Sequence, residues 1–243
     1  MQRIRIIKNS IKPTLVIILL LTAIFLFTQC HKANIKPAPN VDTPAFTFNN
    51  VLILGNSITY TPAQSGTEWT GGRGMAATTA DSDYVHVLTA KLKKVNPKCV
   101  VTAFNISAWE YAYDTYDITN FSSYTTFNPD LVIFRIGEDV VQSPLDTLSF
   151  GAHYRALLKY FSNNSPVILA VGSIWSRPVT DAVMRQNTKN FITLANLGAD
   201  DTIYSFGAWQ DPGIQQHPND RGMRLIADTI WAKVQQLRYQ IKK

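Results

Sequence analysis

Ser57 and His217 are the two residues whose types and positions can do chemistry together. Ser57 comes directly after a short apolar run, Val51-Leu52-Ile53-Leu54, closed by Gly55 and Asn56. A serine placed there holds its hydroxyl at the end of a buried strand, where free amides of the next turn favour a developing negative oxygen. The hydroxyl is a weak nucleophile and needs a base beside it. Of the four histidines, His31 follows Cys30, His86 and His153 fall inside predicted helices, and His217 lies in a loop ahead of Pro218 and the final helix. A serine activated by an imidazole performs acyl transfer through a covalent intermediate. On position alone, Ser57 also suits a helix cap and His217 a surface loop.

Other serine and phosphate chemistries lack their patterns. The Gly-x-Ser-x-Gly elbow is absent, because Thr59 stands where its second glycine belongs. No Gly-Lys-Ser/Thr follows Gly71-Gly72-Arg73-Gly74, so the chain has no P-loop. No His, Cys or Asp spacing suggests a zinc site, and no metal or cofactor is expected. The chain has 243 residues, 46% of them hydrophobic and 16% charged, which excludes a disordered protein. Its net charge of +6 is partly local: Arg3, Arg5, Lys8 and Lys12 lie in the first 30 residues, and without them the balance is 19 − 17 = +2. No basic stripe is left to follow a phosphate backbone, which argues against nucleic-acid binding.

The elements that must position the pair read as alternating strands and helices. Apolar runs at 51–54, 99–104, 130–136 and 166–171 predict four strands. Helices are predicted over 83–94, 148–162, 181–197 and 220–241, and a short fifth strand over 202–204. Continuous apolar strands separated by helices imply an α/β fold: a parallel sheet covered on both faces. In such sheets, ligands sit beyond the carboxyl ends of the strands. Four segments should therefore share one edge: Gly55-Asn56-Ser57, Asn105-Ile106-Ser107, Gly137-Glu138-Asp139 and Gly172-Ser173. Residues 60–82 form a long Gly/Thr/Ser-rich loop, longer than a connection requires.

The amino-terminal residues carry an address. Residues 1–12 are basic, and Leu15 to Phe27 is a 13-residue apolar run, shorter than the roughly 20 residues of a spanning helix. This is the pattern of an export signal over residues 1–30. Cys30, directly after the apolar run, resembles the lipidation site of a bacterial lipoprotein. Residues 31–48 are polar and contain Pro37, Pro39 and Pro44, as a flexible tether would, and residues 49–243 form the folded domain. The expectation is an exported protein of the cell envelope, held at the membrane through a lipid or a signal anchor. Cys99 is expected as a buried core thiol.

Three blocks occur in a fixed order: Gly55-Asn56-Ser57-Ile58-Thr59, Gly137-Glu138-Asp139, and His217-Pro218-Asn219-Asp220-Arg221-Gly222. Together they resemble the SGNH/GDSL hydrolase family of esterases and lipases, over roughly residues 49–240. The resemblance implies a flavodoxin-like three-layer α/β/α sandwich with about five parallel strands. It implies Ser57 as nucleophile, His217 as general base, and an oxyanion hole drawn from Ser57, Ser107 and Asp139. Two departures have chemical weight. Asp139 stands where the family has asparagine, and an ionised carboxylate cannot donate to an oxyanion. Ile214 stands where the family has its acid, three residues before the histidine. Asp211 is the nearest carboxylate upstream, and a Ser-His dyad whose ring is held by a backbone carbonyl is the alternative. Asp220 suits a cap for the last helix.

Asn105, Trp109, Glu138 and Trp175 follow strands and are candidates to line a substrate site, with core packing as the other reading for the tryptophans. The resemblance, together with the loop tryptophans, points to a serine esterase acting on O-acetyl groups of a carbohydrate, with a lipid ester as the alternative of the same class. The competing readings are a catalytically impaired glycan-binding domain and an envelope assembly lipoprotein.

Overall fold

The computed structural model describes residues 46–141 and 144–240. The export signal, Cys30 and most of the tether lie outside these residues. Phe46 and Phe48, at the end of the expected tether, belong to the packed body. Phe48 is buried, and Phe46 exchanges backbone and side-chain hydrogen bonds with Arg238.

Side chains alternate across each strand, and this alternation builds two cores. Strands β1 (Asn50–Gly55), β2 (Val100–Asn105), β3 (Leu131–Arg135), β4 (Val167–Val171) and β5 (Phe191–Ile192) form one parallel sheet in the order β2-β1-β3-β4-β5. Val51, Ile53, Leu131, Ile133, Leu169 and Val171 point to one face. There they meet Tyr84, Leu88 and Leu92 of helix α1 (Tyr84–Val95) and Ile226, Ile230 and Val234 of the final helix, Asp220–Gln240. Leu52, Leu54, Val132, Phe134 and Ala170 point to the other face. They pack on Phe150, Tyr154 and Leu157 of the helix Thr147–Tyr160 and on Val183 and Met184 of the helix Pro178–Asn187. The result is a three-layer α/β/α sandwich of the flavodoxin-like order.

Cys99 is buried, as expected. The fifth strand is not where the sequence suggests. Residues 201–203 form a turn of 3-10 helix capped by Asp200, and β5 is the two-residue segment Phe191–Ile192 paired with Ala170 and Val171. The long helix expected over 181–197 ends at Asn187, and β5 and a single helical turn, Ala195–Gly198, follow it.

Sheet order decides where a ligand can enter. β2 and β3 lie on opposite sides of β1, so the chain diverges above the ends of β1 and β3 and leaves a crevice there. Ser57 follows β1, and Glu138 and Asp139 follow β3.

Candidate active site

The turn that carries Ser57 rests on a buried polar ring. Arg135, the last residue of β3, is fully buried, and a guanidinium inside an apolar strand requires a partner. Its Nη2 donates to Glu138 Oε1 at 2.5 Å and its Nη1 to Asn56 Oδ1 at 2.8 Å. Asn56 Nδ2 closes the ring by donating to Glu138 Oε2 at 2.7 Å. Glu138 Oε1 also accepts the Ile174 amide at 2.9 Å, tying in the segment after β4. The ends of three strands are thereby joined beneath Ser57. Gly55 permits the close approach, because a Cβ there would collide with Thr59 Oγ1 and come within 2.8 Å of the Arg135 carbonyl. Replacing Asn56 by alanine leaves Arg135 and Glu138 each one bond short in a buried place. We expect a loss of about 1–3 kcal/mol in urea unfolding. An unchanged midpoint would mean that the ring does not brace the turn.

Ser57 itself is held from above. Its carbonyl accepts the Met75 amide at 2.9 Å and the Thr61 hydroxyl at 2.9 Å, both from the long loop after β1. Its own amide has no acceptor among the described residues and is free for an incoming oxygen. Ser57 Oγ lies 2.8 Å from His217 Nε2.

The imidazole is oriented by a carbonyl rather than a carboxylate. His217 Nδ1 lies 2.8 Å from the Gly213 carbonyl oxygen, which can only accept. Nδ1 therefore carries the proton, and Nε2 presents its lone pair to the Ser57 hydroxyl. Burial lowers the pKa of His217, and the Arg135 charge adds to this, so the ring is kept neutral. Trp175 meets the ring edge-on with centroids 5.4 Å apart, and its Nε1 donates to the Gln216 carbonyl at 3.2 Å. The Gly213 carbonyl is placed by the helical turn α2 (Pro212–Gln215), which buries Ile214 against Trp69, Met75 and Ala76.

Asp211 does not orient His217. Its Oδ1 caps that turn, accepting the amides of Gly213 at 2.7 Å and Ile214 at 3.1 Å, with Pro212 at the first helical position. It lines the cleft, and it acts on His217 through the backbone that it fixes. Asp211→Asn keeps the accepting oxygen and should hold turnover within about threefold, whereas loss of a carboxylate partnered to the imidazole costs roughly 10⁴-fold. A loss of that larger size would return Asp211 to the role of acid. Asp220 has a different task as well: it accepts the Thr78 amide at 2.8 Å and the Thr78 hydroxyl at 2.6 Å, while Asn219 caps the final helix through Gly222.

Four further residues stand apart from their expected roles. The Ser107 amide donates to Asn105 Oδ1 at 2.8 Å, so it is not an open oxyanion donor, and Asn105 spends its other end on the Tyr60 carbonyl at 2.8 Å. Both side-chain groups of Asn105 hold backbone instead of substrate. Trp109 is buried against Tyr113 and Phe150 in the second core. Glu138 is buried in the ring already described and cannot touch a ligand. Asp139 and Trp175, in contrast, line the same cleft as Ser57 and His217, a cavity of about 340 Å³ completed by Gln64, Met75 and Tyr111 among others.

Asp139 sits in an unusual acidic setting. Burial raises its pKa, the Tyr111 hydroxyl opposes the rise, and the Glu138 charge adds to it. Glu110 lies behind it, fully buried, with Oε2 accepting the amides of Gly137 at 2.7 Å and Asp139 at 3.1 Å. Burial first, and then the charges of Glu138 and Asp139, push Glu110 well above the carboxylate range. Glu110 braces the Gly137–Asp139 turn, in which Gly137 adopts a φ of 122° that favours glycine. Arg135 had a signal in the sequence, a charge inside an apolar strand. The Gly213 carbonyl had none, since every residue carries one. Among the described residues, no group of three or more His, Cys, Asp or Glu is placed to hold a metal ion, and no helix is long and apolar enough to cross a membrane.

No protein-family model matches the sequence, and no curated protein matches it. Solved structures do match its fold. A two-domain esterase active on acetylated mannans, crystallised with mannopentaose, superposes with a TM-score of 0.53 at 17% identity, over 78% of this chain and 50% of that one. This chain thus spans about half the length of that esterase. The psychrotrophic esterase EstA from Pseudoalteromonas sp., in a structure inhibited by monoethylphosphonate, superposes with a TM-score of 0.51 at 12% identity, over 78% of this chain and 98% of that one. At such identities the likeness is one of fold, and it is the fold that the SGNH/GDSL resemblance implies.

Proposed function

We propose that this chain is a serine ester hydrolase that removes O-acetyl groups from a carbohydrate. The observation that carries the reading is the 2.8 Å contact between Ser57 Oγ and a His217 Nε2 left proton-free by its tautomer. In the first step Ser57 Oγ bonds to the acyl carbon while its proton passes to Nε2. The proton then goes to the leaving sugar oxygen as the ester bond breaks. Water attacks the acyl-enzyme by the reverse route, releasing acetate and restoring Ser57. The Ser57 amide and a protonated Asp139 donate to the oxyanion. A neutral carboxyl supplies the O–H donor that an ionised one lacks. The sugar assignment draws on Trp175 at the cleft and on the fold likeness to a mannan-active esterase. With residues 1–30 read as an export signal and Cys30 as its lipidated end, the enzyme works on the cell envelope or outside it.

One observation favours the competing reading of a glycan-binding domain with impaired catalysis. The Ser107 amide is already engaged and a carboxyl stands at Asp139, leaving a single unconditional oxyanion donor. A fluorophosphonate probe separates the two. A hydrolase gives a covalent adduct on Ser57, mapped by mass spectrometry, together with hydrolysis of 4-nitrophenyl acetate. A folded protein with neither adduct nor turnover would overturn the esterase assignment.

A further inference from the structure

A second cleft continues from the first. Trp175 and Gln216 line both, and beyond them lies a cavity of about 350 Å³ walled by Arg177, Tyr204 and Phe206. The two halves differ in their ionisable residues: the carboxyl groups of Asp139 and Asp211 line the half at Ser57, whereas Arg177 is the one such residue lining the other. Phe206 is 56% exposed, a large apolar ring left open to solvent, and it contacts the Tyr204 ring at 5.4 Å between centroids. Trp175 is fixed by its bond to the Gln216 carbonyl and its edge contact with His217. Arg177 is anchored through Nε to the Glu138 carbonyl at 3.2 Å, with a longer bond from Nη1 to the Ser176 carbonyl at 3.5 Å. Its Nη2 has no acceptor among the described residues. An anchored guanidinium with one unengaged edge, beside aromatic rings and paired to no carboxylate, suits a planar anion carried on an apolar-faced ring.

We propose that this cleft is a subsite for the sugar part of the substrate, and that the sugar is acidic: a uronic acid whose carboxylate pairs with Arg177 while its ring face rests on Trp175 and Phe206. The subsite rests on the esterase reading only for its orientation. The neutral acetyl group enters the carboxyl-lined half at Ser57, and the anionic sugar takes the half with Arg177. Sugars present C–H faces to aromatic rings and hydroxyls to their edges, so the aromatic wall accepts a pyranose ring without fixing its identity. The charge of Arg177 supplies the discrimination, as a charge-assisted bond in a partly enclosed site.

The test uses two independent readouts. The first is binding of unacetylated oligogalacturonate, against neutral oligomannose of equal length, to the Ser57→Ala protein by calorimetry. The second is kcat/KM of the wild type on acetylated forms of the same two glycans. We expect the uronate to bind more tightly, with roughly tenfold to hundredfold loss in Arg177→Gln, as for a hydrogen bond to a charged group. The preference should fall steeply with salt. Phe206→Ala should weaken binding of both glycans, by roughly twofold to tenfold. Hydrolysis of both acetylated glycans at equal efficiency, with no effect of Arg177→Gln on their ratio, would overturn the acidic-sugar subsite and leave the esterase standing. Tight uronate binding lost in Arg177→Gln, in a protein that cleaves no acetyl ester, would overturn the esterase and leave the subsite. Equal binding of uronate and neutral glycan would overturn the subsite whatever the catalytic result.

Discussion

Replacing Ser57 or His217 by alanine should each lower turnover of an acetyl ester by about 10⁶-fold, and replacing both should lower it no further. The reason is that neither residue acts alone. Ser57 Oγ without Nε2 at 2.8 Å keeps its proton, and Nε2 without the hydroxyl has nothing to activate but water. The Ser57→Ala variant should fold normally. Among the described residues Ser57 Oγ hydrogen-bonds only to His217, and the backbone of Ser57 is held by Met75 and Thr61 whatever its side chain. Circular dichroism and an unchanged urea midpoint for Ser57→Ala would establish this. What survives is the contribution of binding and of the Ser57 amide, which does not depend on the hydroxyl. Additive losses would sink the dyad, because two groups in one proton-transfer unit cannot be removed independently. A Ser57→Ala protein with wild-type turnover would place the chemistry elsewhere.

Strands β1 to β4 and the helices Tyr84–Val95, Thr147–Tyr160 and Asp220–Gln240 are legible in the sequence because each buries a continuous or periodic apolar pattern, whereas the short helices Ser107–Tyr111 and Ser122–Thr125 between β2 and β3 are not. β5 is not legible. Two residues cannot display a period, and Phe191–Ile192 is a strand only because the edge of β4 offers it partners. Ser57 and His217 could be found because a hydroxyl after a strand and an imidazole in a loop are rare types in informative places. Behind His217 the sequence leaves a carboxylate and a backbone carbonyl both open, and it does not say which carbonyl. At the family's position for the acid stands Ile214, buried in a small aromatic cluster, and its task passes to the Gly213 carbonyl, a group that leaves no trace in residue type. By distance along the chain Asp211 reads as a substitute, and its affinity for the first amides of a helical turn decides otherwise. Trp109 and Trp175 illustrate the same limit. Both follow strands, yet one helix packs Trp109 into the core while Trp175 is left facing the imidazole. Glu138 was readable as chemistry-bearing, but its partner Arg135, three residues earlier, turns it from ligand to brace.

Asp139→Asn should change the pH dependence of kcat/KM from a bell to a single rising limb. Two protonation states must coexist for turnover. His217 must be neutral to take the serine proton, and Asp139 must be protonated to donate to the oxyanion. Burial lowers the pKa of His217 below its ordinary 6.5, so the neutral base is gained early as pH rises. Burial raises the pKa of Asp139 above its ordinary 3.8, so its O–H persists to higher pH and is lost as pH passes that raised value. The acid limb thus belongs to His217 and the alkaline limb to Asp139. An asparagine amide donates at every pH, so the variant loses only the alkaline limb. Above the wild-type optimum it should exceed the wild type, by up to roughly 10²–10³-fold, the worth of one oxyanion donor. The neighbouring groups cannot mimic this. Tyr111 is pushed up to about 12 by partial desolvation and the Asp139 charge, and Glu110 is buried behind the turn and does not line the cleft. Arg177 opposes the rise at Asp139, so Arg177→Gln should move the alkaline limb to higher pH while Asp139→Asn abolishes it. A bell that persists in Asp139→Asn would assign the alkaline limb to another group. Lower activity at every pH would show that the carboxylate itself, rather than its proton, takes part in the reaction.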